Sequence, residues 1–183
     1  SLVKVDLDGR VLEDRDVAVN PAGFTIHSAV HAARPDAACV IHLHTVPGTA
    51  VASQAEGLWP SNQTAMLLNG RLAYHDYEGV ALNLDERERL VRDLGDKPAM
   101  ILRNHGTLAV GTSGGDAFQT IYFLERACAI QSGHAQGCVG GQGAGIHAPQ
   151  LGKERGMAHF LNEVEAVVAR GAIGPEADAQ PAG

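Results

Sequence analysis

The run Cys39-Val40-Ile41-His42-Leu43-His44-Thr45 constrains this chain more than any other segment. Its apolar and β-branched residues favour an extended strand. Side chains on a strand alternate between faces, so His42 and His44 point one way while Cys39, Ile41 and Leu43 point the other. Two imidazoles on one side of a rigid strand form half of a metal site. The plainer reading is one core histidine and one surface histidine, and a third ligand elsewhere decides between the two.

At 183 residues the chain is long enough to bury a real core. Apolar residues at 45% and charged residues at 19% describe a globular domain rather than a disordered or fibrous one. No apolar run approaches the roughly 20 residues of a membrane span, and the N-terminus has no signal-peptide core, so the expectation is a soluble, cytoplasmic protein. A net charge of -7 without a lysine or arginine cluster argues against nucleic acid or an anionic membrane as partner. Cys39, Cys128 and Cys138 have no paired spacing and read as reduced thiols.

The rest of the chain alternates strand-like and helix-like stretches. Leu2 to Leu7 alternates like a strand, and Asp8-Gly9 predicts a hairpin turn into Arg10-Val11-Leu12. That opening is abrupt, and an earlier segment is expected before Ser1. Asn20-Pro21 predicts the start of a short helix that puts Gly23 and His27 on one face and stops at Arg34-Pro35-Asp36. Helices are expected over Thr49–Glu56 and Asn62–Leu68, strands at Leu72-Ala73-Tyr74 and Val80-Ala81-Leu82, and a helix over Glu86–Leu94 capped by Asp85. Ala99-Met100-Ile101-Leu102 is apolar throughout, as in a strand covered on both sides. It turns through Arg103-Asn104-His105-Gly106 into Thr107-Leu108-Ala109-Val110. Ser113 to Asp116 reads as a capping box opening the longest helix, with Ile121, Leu124, Cys128 and Gln131 at helical spacing. These patterns predict an α/β fold with helices on both sides of a partly antiparallel sheet. The domain is expected over residues 1–136, followed by a glycine-rich loop at 137–152, an amphipathic helix within 153–170 and a flexible tail at 171–183.

His105 lies in a turn between two apolar strands, where a side chain can project over the sheet edge. With His42 and His44 it would supply three protein ligands and leave an open position, the pattern of a catalytic metal site. Ala33-Arg34-Pro35-Asp36, His42-Leu43-His44, His75-Asp76-Tyr77-Glu78-Gly79, Leu102-Arg103-Asn104-His105-Gly106 and Tyr122-Phe123-Leu124-Glu125-Arg126-Ala127-Cys128 follow one another in that order. This succession, from about Leu2 to Ala135, resembles the class II aldolase/adducin family.

The resemblance implies a three-layer α/β/α fold around a central, mostly antiparallel sheet. It also implies a divalent metal held by His42, His44 and His105, zinc foremost, with manganese, cobalt, iron or magnesium as alternatives. In the family's enzymes, such as fuculose- and rhamnulose-phosphate aldolases and ribulose-phosphate epimerase, the metal polarises a carbonyl and stabilises an enediolate. Members are frequently homotetramers, so a homo-oligomer, tetramer or dimer, is the expectation. Two departures matter. The acid that the aldolases carry one turn before the position of His27 is Gly23 here, and glycine can neither bind metal nor move a proton. The family's phosphate-binding loop would lie upstream of Ser1, so a small hydroxy-carbonyl substrate need not be phosphorylated.

His27 is placed to approach the metal as a fourth ligand or to orient the ligand histidines, against a plain packed histidine. His75 and Tyr77 are candidates for a substitute acid or base, although a polar turn produces the same string. His31 is expected at the surface, Glu78 as a loop carboxylate, Arg34 and Asp36 as a corner-fixing ion pair, Asn104 as the shaper of the His105 turn, and Tyr122, Phe123 and Leu124 as core. His134, His147 and His159 are given no role. The expected function is a metal-dependent, aldolase-type lyase. A non-catalytic adducin-like oligomerisation module and a metal-dependent decarboxylase on the same fold are the alternatives.

Overall fold

The structure, a computed structural model, describes residues 3–12, 19–79, 84–138 and 164–169. Helix α1 (Pro21–Ala33) starts where Asn20 accepts a hydrogen bond from the Ala22 amide at 3.1 Å and Pro21 sits in the first turn. It ends at Arg34, whose guanidinium grips Asp36 at 2.8 and 2.6 Å and donates to the Gly95 carbonyl at 2.7 Å. That corner turns the chain into β1 (Cys39–Leu43), all five residues of which are buried.

Thr45 caps α2 (Val46–Ala52), accepting from the Gly48 amide at 3.0 Å, so this helix begins and ends earlier than the expected Thr49–Glu56. Likewise α3 shrinks to Gln63–Met66, with Asn62 as its cap. β2 (Leu72–His75), α4 (Leu84–Leu94), β3 (Ala99–Leu102) and β4 (Gly106–Gly111) follow as the patterns predict, although α4 starts one residue ahead of Asp85. Helix α5 (Gly114–Cys138) is opened by a reciprocal cap: Ser113 accepts from the Asp116 amide at 3.1 Å, and Asp116 accepts from the Thr112 amide at 2.9 Å. The helix absorbs Gly137 and Cys138 from the stretch expected to be loop.

Among the described residues one sheet carries five strands in the order β2-β3-β4-β1-β5. β2 and β3 are parallel, and the other pairings are antiparallel. Helices cover both faces. Cys39, Ile41 and Leu43 pack with Val51 of α2 and with Ile121, Leu124 and Cys128 of α5. Val40, Met100, Leu108 and Val110 pack with Ile26 and Val30 of α1 and Leu90 and Leu94 of α4. Each such fully buried aliphatic side chain contributes roughly 1.5–3 kcal/mol. The three-layer α/β/α expectation holds.

The expected C-terminal helix is corrected in its last part. Val164–Ala169 form β5, which pairs antiparallel with β1 from Cys39↔Ala169 to Leu43↔Val164 with a register shift at His42/Leu43. Val164, Val167 and Val168 fit a helical spacing, but their β-branching also suits a strand, and the open side of β1 needs a partner for its backbone groups. The opening hairpin reduces to a single Val5↔Val11 bridge around a turn in which Asp6 accepts from the Asp8 and Arg10 amides, both at 2.9 Å. The expected strand at 80–82, the loop beyond Cys138, the start of the C-terminal helix and the tail lie outside the described residues. Among the described residues no helix is long and apolar enough to cross a membrane.

Candidate metal centre

Pairing of β1 with β4 sets Leu43 opposite Thr107, so His42, His44 and the turn residue His105 arrive at one end of two adjacent strands. Asn104 makes that turn with a left-handed backbone, φ 54°, which asparagine tolerates better than most residues. The turn is anchored from both sides: the Asn104 amide donates to Ala52 at 3.0 Å, and the Arg103 guanidinium donates to the Gln54 and Ala55 carbonyls at 2.7 and 2.9 Å. Gly106 is required by proximity. A Cβ there would collide with the Leu43 carbonyl oxygen and lie 3.0 Å from Cδ2 of His44.

The three Nε2 atoms converge. His44 Nε2 is 2.8 Å and His105 Nε2 3.3 Å from His42 Nε2, and one ligand atom from each residue falls within 4.8 Å of the others. Tetrahedral zinc with Zn–N bonds of about 2.05 Å needs nitrogens about 3.3 Å apart, so the donor set fits such an ion. Protonation agrees with that fit. His42 Nδ1 lies 2.9 Å from the Thr107 carbonyl, which can only accept, so Nδ1 carries the proton and Nε2 offers its lone pair. Burial first, and the neighbouring His105 next, push the His42 pKa down to about 3, with His44 and His27 adding to the effect and the Thr107 bond opposing it. The imidazole therefore stays neutral, as a metal ligand must be. His42 is buried, His105 half-buried and His44 exposed, which leaves one side of the cluster open to solvent.

His27 is 3% exposed on α1 and near enough to His42 to affect it electrostatically, but its ring lies outside the cluster and neither nitrogen has a hydrogen-bond partner among the described residues. One turn earlier, Gly23 faces open space: nothing lies within 4 Å of where its Cβ would be. His31, expected at the surface, is 4% exposed, and its Nδ1 sits 2.9 Å from the Ala37 carbonyl. The tight α1–β1 corner folds that carbonyl back onto it.

His75 does not join the histidine cluster. It is buried, with Nδ1 2.8 Å from Asp93 of α4, although its carbonyl accepts from the Arg103 amide of the His105 turn at 2.8 Å. Burial raises the Asp93 carboxyl, yet hydrogen bonds from His75 and Arg92 hold it below its usual range. Tyr77 is exposed, and Glu78 pairs with Arg89. Leu124 is fully buried as expected, while Tyr122 and Phe123 are only half-buried beside it.

One contact set near the cluster was not anticipated. Glu125 of α5, 6% exposed, accepts hydrogen bonds from the hydroxyls of Thr45 and Thr107. Its signal in the sequence is a carboxylate four residues after Ile121 and next to Leu124, on the face of α5 that otherwise carries the core.

An α/β/α fold on a mostly antiparallel sheet, with three imidazoles at the ends of two neighbouring strands, defines a class of domain. The chain belongs to the class II aldolase and adducin family, whose N-terminal domain matches residues 1–132. It is 58% identical over 131 residues to a protein of Caulobacter vibrioides named as a candidate aldolase class 2 protein, covering 72% of this chain and 51% of the relative. It is 46% identical over 134 residues to rat α-adducin, covering 72% of this chain and 18% of the adducin. The chain thus spans about half the length of its bacterial relative. Among solved structures, an aldolase II superfamily protein from Pseudomonas syringae matches with a TM-score of 0.70 and 46% identity, over 87% of this chain and 67% of that one. An L-fuculose 1-phosphate aldolase from Glaciozyma antarctica matches with a TM-score of 0.62 and 31% identity, over 81% and 56%.

Proposed function

We propose that this chain carries the metal centre of a divalent-metal-dependent, aldolase-type enzyme acting on a small hydroxy-carbonyl compound by carbon-carbon cleavage or enolisation. The observation that carries the reading is the convergence of Nε2 from His42, His44 and His105 on a face open to solvent. A divalent cation there, zinc foremost, supplies Lewis acidity that polarises a carbonyl and stabilises negative charge developing on oxygen. His42 forms the buried floor, its tautomer set by Thr107, and His44 and His105 form the wall that a substrate approaches. His27, buried with no hydrogen-bond partner among the described residues and close enough to affect His42 electrostatically, is assigned to hold a ligand or a substrate oxygen rather than to pack. The reading gives no proton-transfer role to His75, whose ring is engaged by Asp93, or to Tyr77, which is exposed beyond the end of β2. It makes the working protein a cytoplasmic homo-oligomer whose substrate need not be phosphorylated.

The open space at Gly23 favours a second reading, an adducin-like module that binds metal without catalysis. Metal analysis and thermal unfolding separate the possibilities. Zinc at a hundred times its Kd should stabilise the protein by about 2.7 kcal/mol, since only the folded chain presents all three ligands. His44→Ala should abolish that gain, along with turnover of a panel of aldols, 2-hydroxy acids and 2-keto acids. Protein that carries no divalent ion and gains no stability from added zinc refutes the metal centre. A zinc-loaded protein inert across the panel favours the module.

A further inference from the structure

We infer that Glu125 is a positioning residue for the three-histidine centre, an inference that rests on reading the cluster as a metal site. Glu125 projects from α5 into a layer otherwise built from Ile121, Leu124, Cys128 and the apolar face of β1. A carboxylate buried among such groups needs hydrogen-bond donors. Two of them are hydroxyls: that of Thr45 donates to one oxygen and that of Thr107 to the other.

The two threonines belong to the two strand ends that carry the histidines. Thr45 directly follows His44. Thr107 lies two residues after His105, and its carbonyl accepts the Nδ1 proton of His42 at 2.9 Å. One carboxylate thus bridges the backbone segments bearing all three imidazoles and fixes their separation. The orientation of the bridge is determined as well: Thr45 Oγ1 accepts the Gly48 amide at 3.0 Å, so its own proton points to Glu125. Space is reserved for the carboxylate. A Cβ on Gly48 would lie 2.8 Å from Glu125 Oε1, 2.9 Å from Thr45 Oγ1 and 3.1 Å from Thr107 Cγ2. Tightly held groups behind metal ligands set ligand geometry, and their loss commonly weakens metal binding about 10- to 100-fold.

The test uses the full chain with cobalt(II) as a spectroscopic probe and zinc affinity measured by chelator competition, beside urea unfolding of the metal-free protein. Glu125→Gln should weaken zinc binding about 10- to 100-fold and shift the visible cobalt bands. Gly48→Ala, which keeps the carboxylate but displaces it, should shift the same bands. If Glu125→Gln does not fold, Thr107 carries the test: Thr107→Ser keeps the hydroxyl and should retain the native spectrum and affinity, whereas the isosteric Thr107→Val should lose both. Variants that unfold more easily yet show the native spectrum and zinc affinity overturn the inference and leave the metal centre standing. A wild-type chain that binds neither cobalt nor zinc overturns both.

Discussion

His27 should contribute a separable share of the acid sensitivity of the metal-free protein. Its ring is 3% exposed, its two nitrogens have no hydrogen-bond partner among the described residues, and burial, reinforced by the neighbouring His31, lowers its pKa from 6.5 to about 4. The unfolded chain takes up a proton on this ring as pH falls through 6.5, whereas the folded chain refuses it until about pH 4. Stability is therefore complete above pH 6.5 and is lost as pH falls from there toward 4. A gap of roughly 2.5 pH units at 1.36 kcal/mol each makes the full loss about 3 kcal/mol, a large part of the stability of an ordinary domain. His27→Leu removes the titration and keeps an apolar filling. With a chelator present, urea unfolding of both proteins from pH 7.5 to 4.5 should give a free-energy difference that is flat above pH 7. It should then rise in favour of the variant by up to about 1.4 kcal/mol per pH unit, at unchanged denaturant slope. The acid response of His42 is present in both proteins and largely cancels, since His27 is the smallest contributor to its lowered pKa. Parallel stability curves across the whole range would refute the argument.

Gly106→Ala drives a methyl group into the Leu43 carbonyl and against His44, so it should cost at least about 2 kcal/mol on chemical denaturation and weaken zinc binding in the same protein. Arg34→Lys loses the two-point grip on Asp36 and the bond to Gly95, and should lower unfolding stability by about 1–3 kcal/mol with little change in zinc affinity measured by chelator competition.

The three-histidine cluster was legible because strands and turns advertise themselves locally. Period-two alternation put His42 and His44 on one face, and the Asn104-His105-Gly106 turn between two apolar runs announced a projecting side chain. What the residues alone hid were contacts between positions far apart in sequence. Glu125 meets Thr45 across 80 residues and Thr107 across 18, and no local periodicity reports such a meeting. His31 looked like a surface residue because its partner, the Ala37 carbonyl, exists only once Arg34 and Asp36 close the corner. The last strand was misread for a related reason. Val164, Val167 and Val168 satisfy helical spacing, and only the unpaired side of β1 decides for the extended form.

The placement of the cluster also governs when it can exist during folding. His42 and His105 are 63 residues apart, and their approach depends on the antiparallel pairing of β1 with β4. A chain emerging from the ribosome with β1 already extended offers only two of the three cluster imidazoles, and closing so long a loop is an entropic cost met late, when non-local strand pairing forms. On the proposed reading, tight binding of a divalent ion would report completed assembly of the central sheet, and the ion would act as a latch on the finished fold, with no part as a seed for its beginning.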